Sequence, residues 1–251
     1  MGDGGASRFA DVHRHREVDS TNRVVADLAR QGAAEGLVVI ADHQTAGRGR
    51  WGRRWDAPPG SSLLVSVLLR PRPLVTLASG IAAADACASA AGVAAGLKWP
   101  NDLMAGDRKL GGILTELVTD GPAPAAVVGV GINVNWTGAL PGGAVSLNHL
   151  TGEAVERDLL LDAFLTQLDA VLNELDGPDG PTAVVDRYRE LSGTLGRTVT
   201  VSTPRGDIVG WAADVGREGQ LVLETDDGRR HEVAAGIVTH VDQGGAPIAG
   251  I

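Results

Sequence analysis

The sequence predicts an α/β (α+β) protein, with a larger domain of interleaved strands and helices over residues 1–191 and a small all-β module over residues 192–251. Three observations carry this reading. Compact apolar runs of strand length alternate with segments whose apolar residues recur at helical spacing, the texture of a layered α/β protein. From about Ser192 the helical period disappears, and short alternating runs follow, separated by Gly or Asp turns, as in a small barrel. The 251 residues make one to two domains at about 150 residues each.

Residues 1–12 are Gly-rich and expected to fray, and HRHREV after them reads as a short strand. Asp19 to Asn22 offer helix N-caps. In RVVADLARQGAA, Val24, Val25, Leu28 and Ala29 share one helical face, with Gly32 and Gly36 as stop signals. GLVVIA, ending at Ala41, and SSLLVSVLLR, from Ser61, are expected strands. The polar stretch between them, residues 42–60, has no secondary pattern and is long for a connection, a length that marks a functional or a disordered segment. Residues 74–95 are Ala-rich and free of Pro, and read as a helix packing through small side chains. LMAGDRKLGGILTELV is expected to turn back as a hairpin at Gly106 and Asp107, ahead of the strand AAVVGVGINVN. Leu161, Leu165, Leu168, Leu172 and Leu175 mark an amphipathic helix, and PTAVVDRYREL a shorter one. The module beyond is read as RTVTVST, DIVGWAADV, QLVLET and HEVAAGIVTHV, with DQGGAPIAGI a loose tail.

Composition narrows the function. With 43% hydrophobic and 21% charged residues the chain is an ordinary globular protein rather than a disordered or fibrous one. No window approaches the roughly 18 consecutive apolar residues of a membrane span, and the N-terminus lacks the apolar centre of a signal peptide. Cys87 is the single cysteine, which excludes a disulfide framework or a CxxC site and points to the reducing cytoplasm. The net charge of −9 disfavours general binding to nucleic acid. Only Lys98 and Lys109 among the 22 basic residues are lysines. Two lysines kept in an arginine-rich chain are read as chosen for lysine chemistry.

Three stretches could carry that chemistry. AGRGRWGRRW, residues 46–55, holds four arginines and three glycines. Glycines let backbone N–H groups approach a ligand, and guanidinium forks match carboxylate or phosphate. Gly47, Gly49 and Gly52 also satisfy GxGxxG, but RRWDAPPG behind them cannot open a helix, so the dinucleotide reading is rejected. The run is either a solvated charged loop or an anion-binding one, and its two tryptophans favour an ordered segment. KWPND followed by KLGGIL sets Lys98, Asn101, Asp102 and Lys109 around the hairpin, either as a plain turn or as a place where ammonium meets anion and Asp102 holds a divalent metal. GVGINVN brings Asn133 out near a strand end. His13 and His15 lack a third ligand, and Cys87 reads as a core residue. P-loop, serine-hydrolase and zincin motifs are missing.

Read in order, Asp19-Ser20-Thr21-Asn22, DHQTAGRGRWGRRW, KWPNDL, DRKLGGILTEL and VVGVGINVN closely resemble the biotin protein ligase family over nearly the whole chain. The resemblance implies a catalytic domain with a mixed sheet, an SH3-like C-terminal domain and a two-step reaction. Biotin and Mg-ATP form biotinyl-5'-AMP, and a lysine of a biotin carboxyl carrier domain, from acetyl-CoA carboxylase or a related carboxylase, then takes the biotin.

The resemblance also implies residue roles. Ser20, Thr21, Asn22 and Gln44 bind the ureido ring, with Gly47, Arg48, Gly49 and Arg50 as the loop closing over biotin and adenylate. Lys109 is the main catalytic lysine, acting with Arg48 and Arg50. Trp55, Lys98, Asn101, Asp102 and Asn133 serve the ATP side, Asp102 as the Mg2+ carboxylate, and Gly112 shapes the pocket. Trp51 stands where the family varies and receives no role. The family motifs begin by Asp19, so a monofunctional enzyme without a DNA-binding domain is expected. It has no nucleic-acid or membrane partner, and a homodimer is possible in principle. The alternatives are a lipoate or octanoate ligase and a biotin sensor without catalysis.

Overall fold

The computed structural model describes residues 8–240. The expected fraying at residues 1–7 and the tail at residues 241–251 lie outside the described residues. Arg8 and Phe9 do not fray: Phe9 is buried, and Arg8 reaches Asp169 at 2.8 Å and Asn173 at 2.6 Å.

A seven-stranded sheet forms the larger layer, in the order β1 (Val12–Val18), β2 (Val38–Gln44), β3 (Ser62–Leu69), β7 (Ala125–Asn133), β6 (Arg108–Val118), β5 (Asp102–Ala105) and β4 (Gly96–Lys98). Only β1 and β2 run parallel, so the sheet is mixed. The expected end of the second strand at Ala41 is too early. Pairing of Glu17 with His43 and Val18 with Gln44 carries β2 three residues further.

Alternation along the strands sends side chains to two faces. On one face Val65, Val67, Ile113, Val128, Val130 and Ile132 enter a core with α2 (Val75–Ala91) and α4 (Arg157–Leu175). The Ala-rich α2 is apolar on nearly every side and is buried accordingly, and Gly80 lets Leu97 approach closely. Phe164, Leu168 and Leu172 of α4 close this layer, with α5 (Gly180–Leu191) against its end. Cys87 sits in this core as read, and burial pushes its thiol up to about 12.

The opposite face is only half covered. There α1 (Thr21–Arg30) packs Val25 and Ala29 against Val39, Leu68, Val118 and Val127. Beyond it the same face presents Gly129, Gly131 and Gly112, with no side chain to fill the layer.

The second sheet is five-stranded and antiparallel, in the order β11 (Arg230–Val233), β10 (Leu221–Glu224), β9 (Gly206–Val215), β8 (Thr198–Thr203) and β12 (Ile237–His240). HEVAAGIVTHV, read as one strand, is two strands on opposite edges. The chain crosses at Gly236, where a Cβ would stand 2.5 Å from a Val201 methyl. The buried Trp99 joins the two sheets: its indole N–H donates to the Gly219 carbonyl at 2.9 Å and its amide to Thr194 Oγ1 at 2.9 Å. The short α3 (Leu147–Thr151) is an element the sequence reading lacked.

Candidate active site

The glycine-floored half of the sheet opens into a cavity of about 300 Å3. Ser20, Thr21, Asn22, Gln44, Arg48, Gly49, Arg50, Trp55, Lys98, Asn101, Asp102, Lys109, Gly112 and Asn133 all line it. These residues come from strand ends, a helix start and a loop spread over more than a hundred positions. Gly47 is outside the lining. A Cβ there would stand 2.2 Å from the Trp55 carbonyl oxygen, so this glycine serves the folding of the loop.

At one end the polar groups are neutral and buried. Ser20 occupies the N-cap position of α1 without capping it through its side chain. The Thr21 amide donates to Gln44 Oε1 at 2.8 Å, which occupies a free helix-terminal donor and leaves the Gln44 NH2 for other partners. Asn22 donates Nδ2 to the Leu114 carbonyl at 3.2 Å and to Glu116 Oε2 at 2.9 Å, and accepts at Oδ1 from the Ser66 hydroxyl at 2.6 Å. Asn22 fits only because residue 129 is glycine, since a Cβ there would overlap Oδ1 at 2.1 Å.

At the other end the groups are charged. Lys109 Nζ lies 2.6 Å from Asp102 Oδ1, across the β5–β6 hairpin turned at Gly106 as the sequence reading expected. Asn101 Nδ2 donates to the Ile113 carbonyl at 2.6 Å, and Asn101 Oδ1 accepts from Arg50 at 3.1 Å. Burial lowers the pKa of Lys98, and neighbouring Lys109 and Arg53 add to this while Asp102 opposes it. Arg50 is likewise lowered by burial, with Asp102 acting the other way. Six lining side chains are cationic (Arg48, Arg50, Arg53, Arg54, Lys98 and Lys109) against the carboxylates of Asp56 and Asp102. Such a concentration inside a chain of net charge −9 gives this end of the cavity a local positive charge suited to an anion.

The loop over the cavity is not the patternless stretch its sequence suggested. Arg48 and Arg54 form an antiparallel bridge, with Trp55 N–H to Gly47 O at 3.0 Å and Gly49 N–H to Arg53 O at 2.7 Å. The tip at residues 50–52 is a single 3-10 turn, with the exposed Trp51 at φ 60°. Trp55 lies on the floor, where a Cβ at Gly131 would come within 2.7 Å of its ring. Lys109 Nζ stands 5.9 Å from the centre of that ring, and the buried Trp55 Nε1 has no partner among the described residues. From the second sheet Gly236, Ile237 and Val238 complete the wall, and Gly236 O accepts from Arg50 at 3.2 Å.

Several site residues escaped sequence reading. Ser66 carried no signal beyond a polar residue in an apolar strand, and the Trp136–Leu140 wall, packed on Ala57, carried none. Gly129 and Gly131 were visible as alternation in GVGIN.

A neutral hydrogen-bonding end joined to a cationic end, on a mixed sheet, suits an acid activated at its carboxylate. Residues 15–133 match the Biotin/lipoate A/B protein ligase family, which is the class that fold and cavity define. Residues 194–241 match the Biotin protein ligase C terminal domain. The chain is 37% identical to the biotin–[acetyl-CoA-carboxylase] ligase of Mycobacterium tuberculosis, over 96% of this chain and 92% of that one. It is 32% identical to the enzyme of the same name from Paracoccus denitrificans, over 84% and 93%. Its fold is similar to a biotin protein ligase of Aquifex aeolicus solved with biotin and ATP, with TM-score 0.81, 26% identity and coverage of 93% and 99%. The chain belongs to the biotin protein ligase family. Among the described residues, no helix is long and apolar enough to cross a membrane.

Proposed function

We infer that the protein is an ATP-dependent biotin protein ligase. Biotin's carboxylate attacks the α-phosphorus of ATP, forming biotinyl-5'-AMP and releasing pyrophosphate. A lysine amine of a carrier domain then attacks the acyl carbon, an amide bond forms, and AMP leaves. Residues 1–191 act as the catalytic domain and 192–251 as the C-terminal domain. The observation that carries the reading is the division of one cavity into a neutral end at Thr21, Asn22 and Gln44 and a cationic end at Arg48, Arg50, Lys98 and Lys109.

A ureido ring offers two N–H donors and one carbonyl. With Gln44 Oε1 already accepting from Thr21, the Gln44 NH2 is left for the ring carbonyl, and Asn22 Oδ1 keeps a lone pair for a ring N–H. Lys109, beside Trp55 and Asp102, is suited to follow charge from the biotin carboxylate to the α-phosphate, because an ammonium is a compact charge on a flexible stem. Preorganised charge of this kind stabilises both steps without an enzyme nucleophile. Arg48 and Arg50 hold the loop over the adenylate, Gly49 permits its close approach, and Gly112 bounds the acyl chain together with Trp55, which the resemblance sets on the ATP side and which reaches from the Gly131 floor to Lys109. Lys98, Asn101 and Asn133 face the nucleotide.

Mg2+ fits as a companion of the nucleotide, because one carboxylate plus substrate phosphates suffices for it, and Asp102 is the carboxylate between the two lysines. When bound, the ion would neutralise phosphate charge. The net charge of −9 supports a ligase without nucleic-acid binding, and the single cysteine supports a cytoplasmic enzyme.

Calorimetric titration with biotin and with lipoate, each with and without Mg-ATP and followed by nucleotide analysis, tests the reading. Biotin binding with adenylate or AMP formed is the expected result. Heat with lipoate alone would assign a lipoate ligase, and biotin binding without turnover a sensor.

A further inference from the structure

Glu116 touches two residues of the cavity without lining it. It lies on the β6 face shared with Gly112 and Leu114, opposite Val127 of β7, one step beyond the glycine floor. Its carboxylate accepts from Asn22 Nδ2 at 2.9 Å, and its two oxygens lie 2.9 and 3.4 Å from the Arg48 guanidinium. One carboxylate thus joins the neutral end of the cavity to the loop that covers it.

The plainest account of Glu116 is a surface ion pair, worth about 0–1 kcal/mol. Three observations go beyond it. The Glu116 side chain is only 29% exposed, so it is partly withdrawn from solvent. Its two partners come from separate segments, 22 and 48, and both line the cavity. Finally, the contact decides which end of the Asn22 carboxamide faces inward. With both N–H bonds donated to Leu114 O and Glu116, and Ser66 taking one lone pair of Oδ1, only an acceptor remains for a ligand.

We propose that Glu116 is a positioning residue that couples recognition of the ligand's ring to retention of the activated acid, by orienting Asn22 and latching Arg48 of the loop to β6. The proposal rests on the ligase reading above. It treats the latch as electrostatic and the Asn22 contact as a hydrogen bond, so two substitutions separate them. Glu116→Gln keeps an oxygen for Asn22 and removes the charge that holds Arg48. Glu116→Ala removes both.

The experiment measures biotin KM and the release of biotinyl-5'-AMP, trapped by a lysine-rich bystander protein added in excess. The chain's own lysines, Lys98 and Lys109, both line the cavity, so surface self-labelling contributes little. For Glu116→Gln we expect release faster by about tenfold, the scale of one charged hydrogen bond, with biotin KM within about twofold. For Glu116→Ala a rise in KM of about tenfold should join the faster release. In an Arg48→Ala background, Glu116→Gln should accelerate release by less than about twofold, because the partner is already gone. Unchanged release in Glu116→Gln, or the same acceleration with and without Arg48, overturns the proposal. A wild-type chain that forms no biotinyl-5'-AMP overturns the ligase reading and this inference with it; a normal wild type beside an unaltered Glu116→Gln overturns this inference alone.

Discussion

The two faces of the seven-stranded sheet use the same strands for opposite ends. Towards α2 and α4 the alternate residues of β3 and β7 are Val, Ile, Leu and Ala, and the few polar groups of the layer bond within it, Thr76 to Thr115 at 2.8 Å and Ser79 to the Val75 carbonyl at 2.7 Å. Towards the cavity β3, β6 and β7 present Ser66, Gly112, Gly129, Gly131 and Asn133. The period of two that builds a core on one side therefore strips it on the other, and the emptied layer is where Asn22, Trp55 and Lys109 fit. Stability is concentrated on one face and chemistry on the other, so substitutions on the two should separate in their effects.

The largest effect is expected from the packed face. Phe164 is fully buried between α4 and the core, and Phe164→Ala should cost about 3–5 kcal/mol of stability. For a chain of this size that lowers Tm by about 2–4 °C per kcal/mol, while activity per folded molecule at low temperature stays near wild type. Thermal unfolding and active-site titration together check it. On the other face, Lys109→Ala should reverse the pattern, with adenylate formation down about 10^2–10^3-fold and Tm little changed. Pyrophosphate release with a melting curve on the same sample decides between them. Near wild-type release would remove Lys109 from the reaction.

Smaller effects should follow from the floor. Gly131→Ala directs a methyl into the Trp55 ring, and because the ring is held by a loop rather than by the core it should yield. Biotin affinity should then fall about tenfold, or about 1.4 kcal/mol, measured by calorimetry, with the β7 ladder intact by circular dichroism. The smallest effect should be favourable to folding. Lys98 is half-buried, and burial, aided by Lys109 and Arg53, disfavours its charge more than Asp102 and Asp107 favour it, so Lys98→Met should raise stability by about 0.5–1 kcal/mol while weakening ATP affinity. The gain should be largest at neutral pH and shrink as pH rises towards the ordinary lysine pKa, because burial penalises only the protonated form. A stability change independent of pH between 7 and 10.5 would show that Lys98 carries no such penalty.

The layered α/β order was readable from periodicity because the packed face obeys it strictly: Leu161, Leu165, Leu168, Leu172 and Leu175 form a helix as expected. The site was readable differently. Lys98, Asp102 and Lys109 could be grouped because a hairpin joins them over a few residues, whereas Ser66 and Glu116 join it through strand pairings far apart in the chain. Glu116 had a trace, the one charged residue in the mostly apolar ILTELV, but one dimension does not say that Asn22 and Arg48 meet there. The Trp136 wall depends on how the chain after β7 doubles back, donating its Nε1 to Ser62 Oγ at 3.2 Å, and no periodicity encodes that. The second sheet was legible as a module, although the break at Gly236 is a packing constraint against Val201 rather than a turn motif.

The most direct test of the central claim, that the stripped face is the ligase site, is a crystal structure of the protein soaked or grown with biotin and ATP. The account predicts biotinyl-5'-AMP lying over Gly129 and Gly131, its ring at Asn22 and Gln44 and its acyl phosphate within hydrogen-bond reach of Lys109. An adduct bound elsewhere, or one lying in the cavity with its ring at the Lys98–Lys109 end, would contradict it.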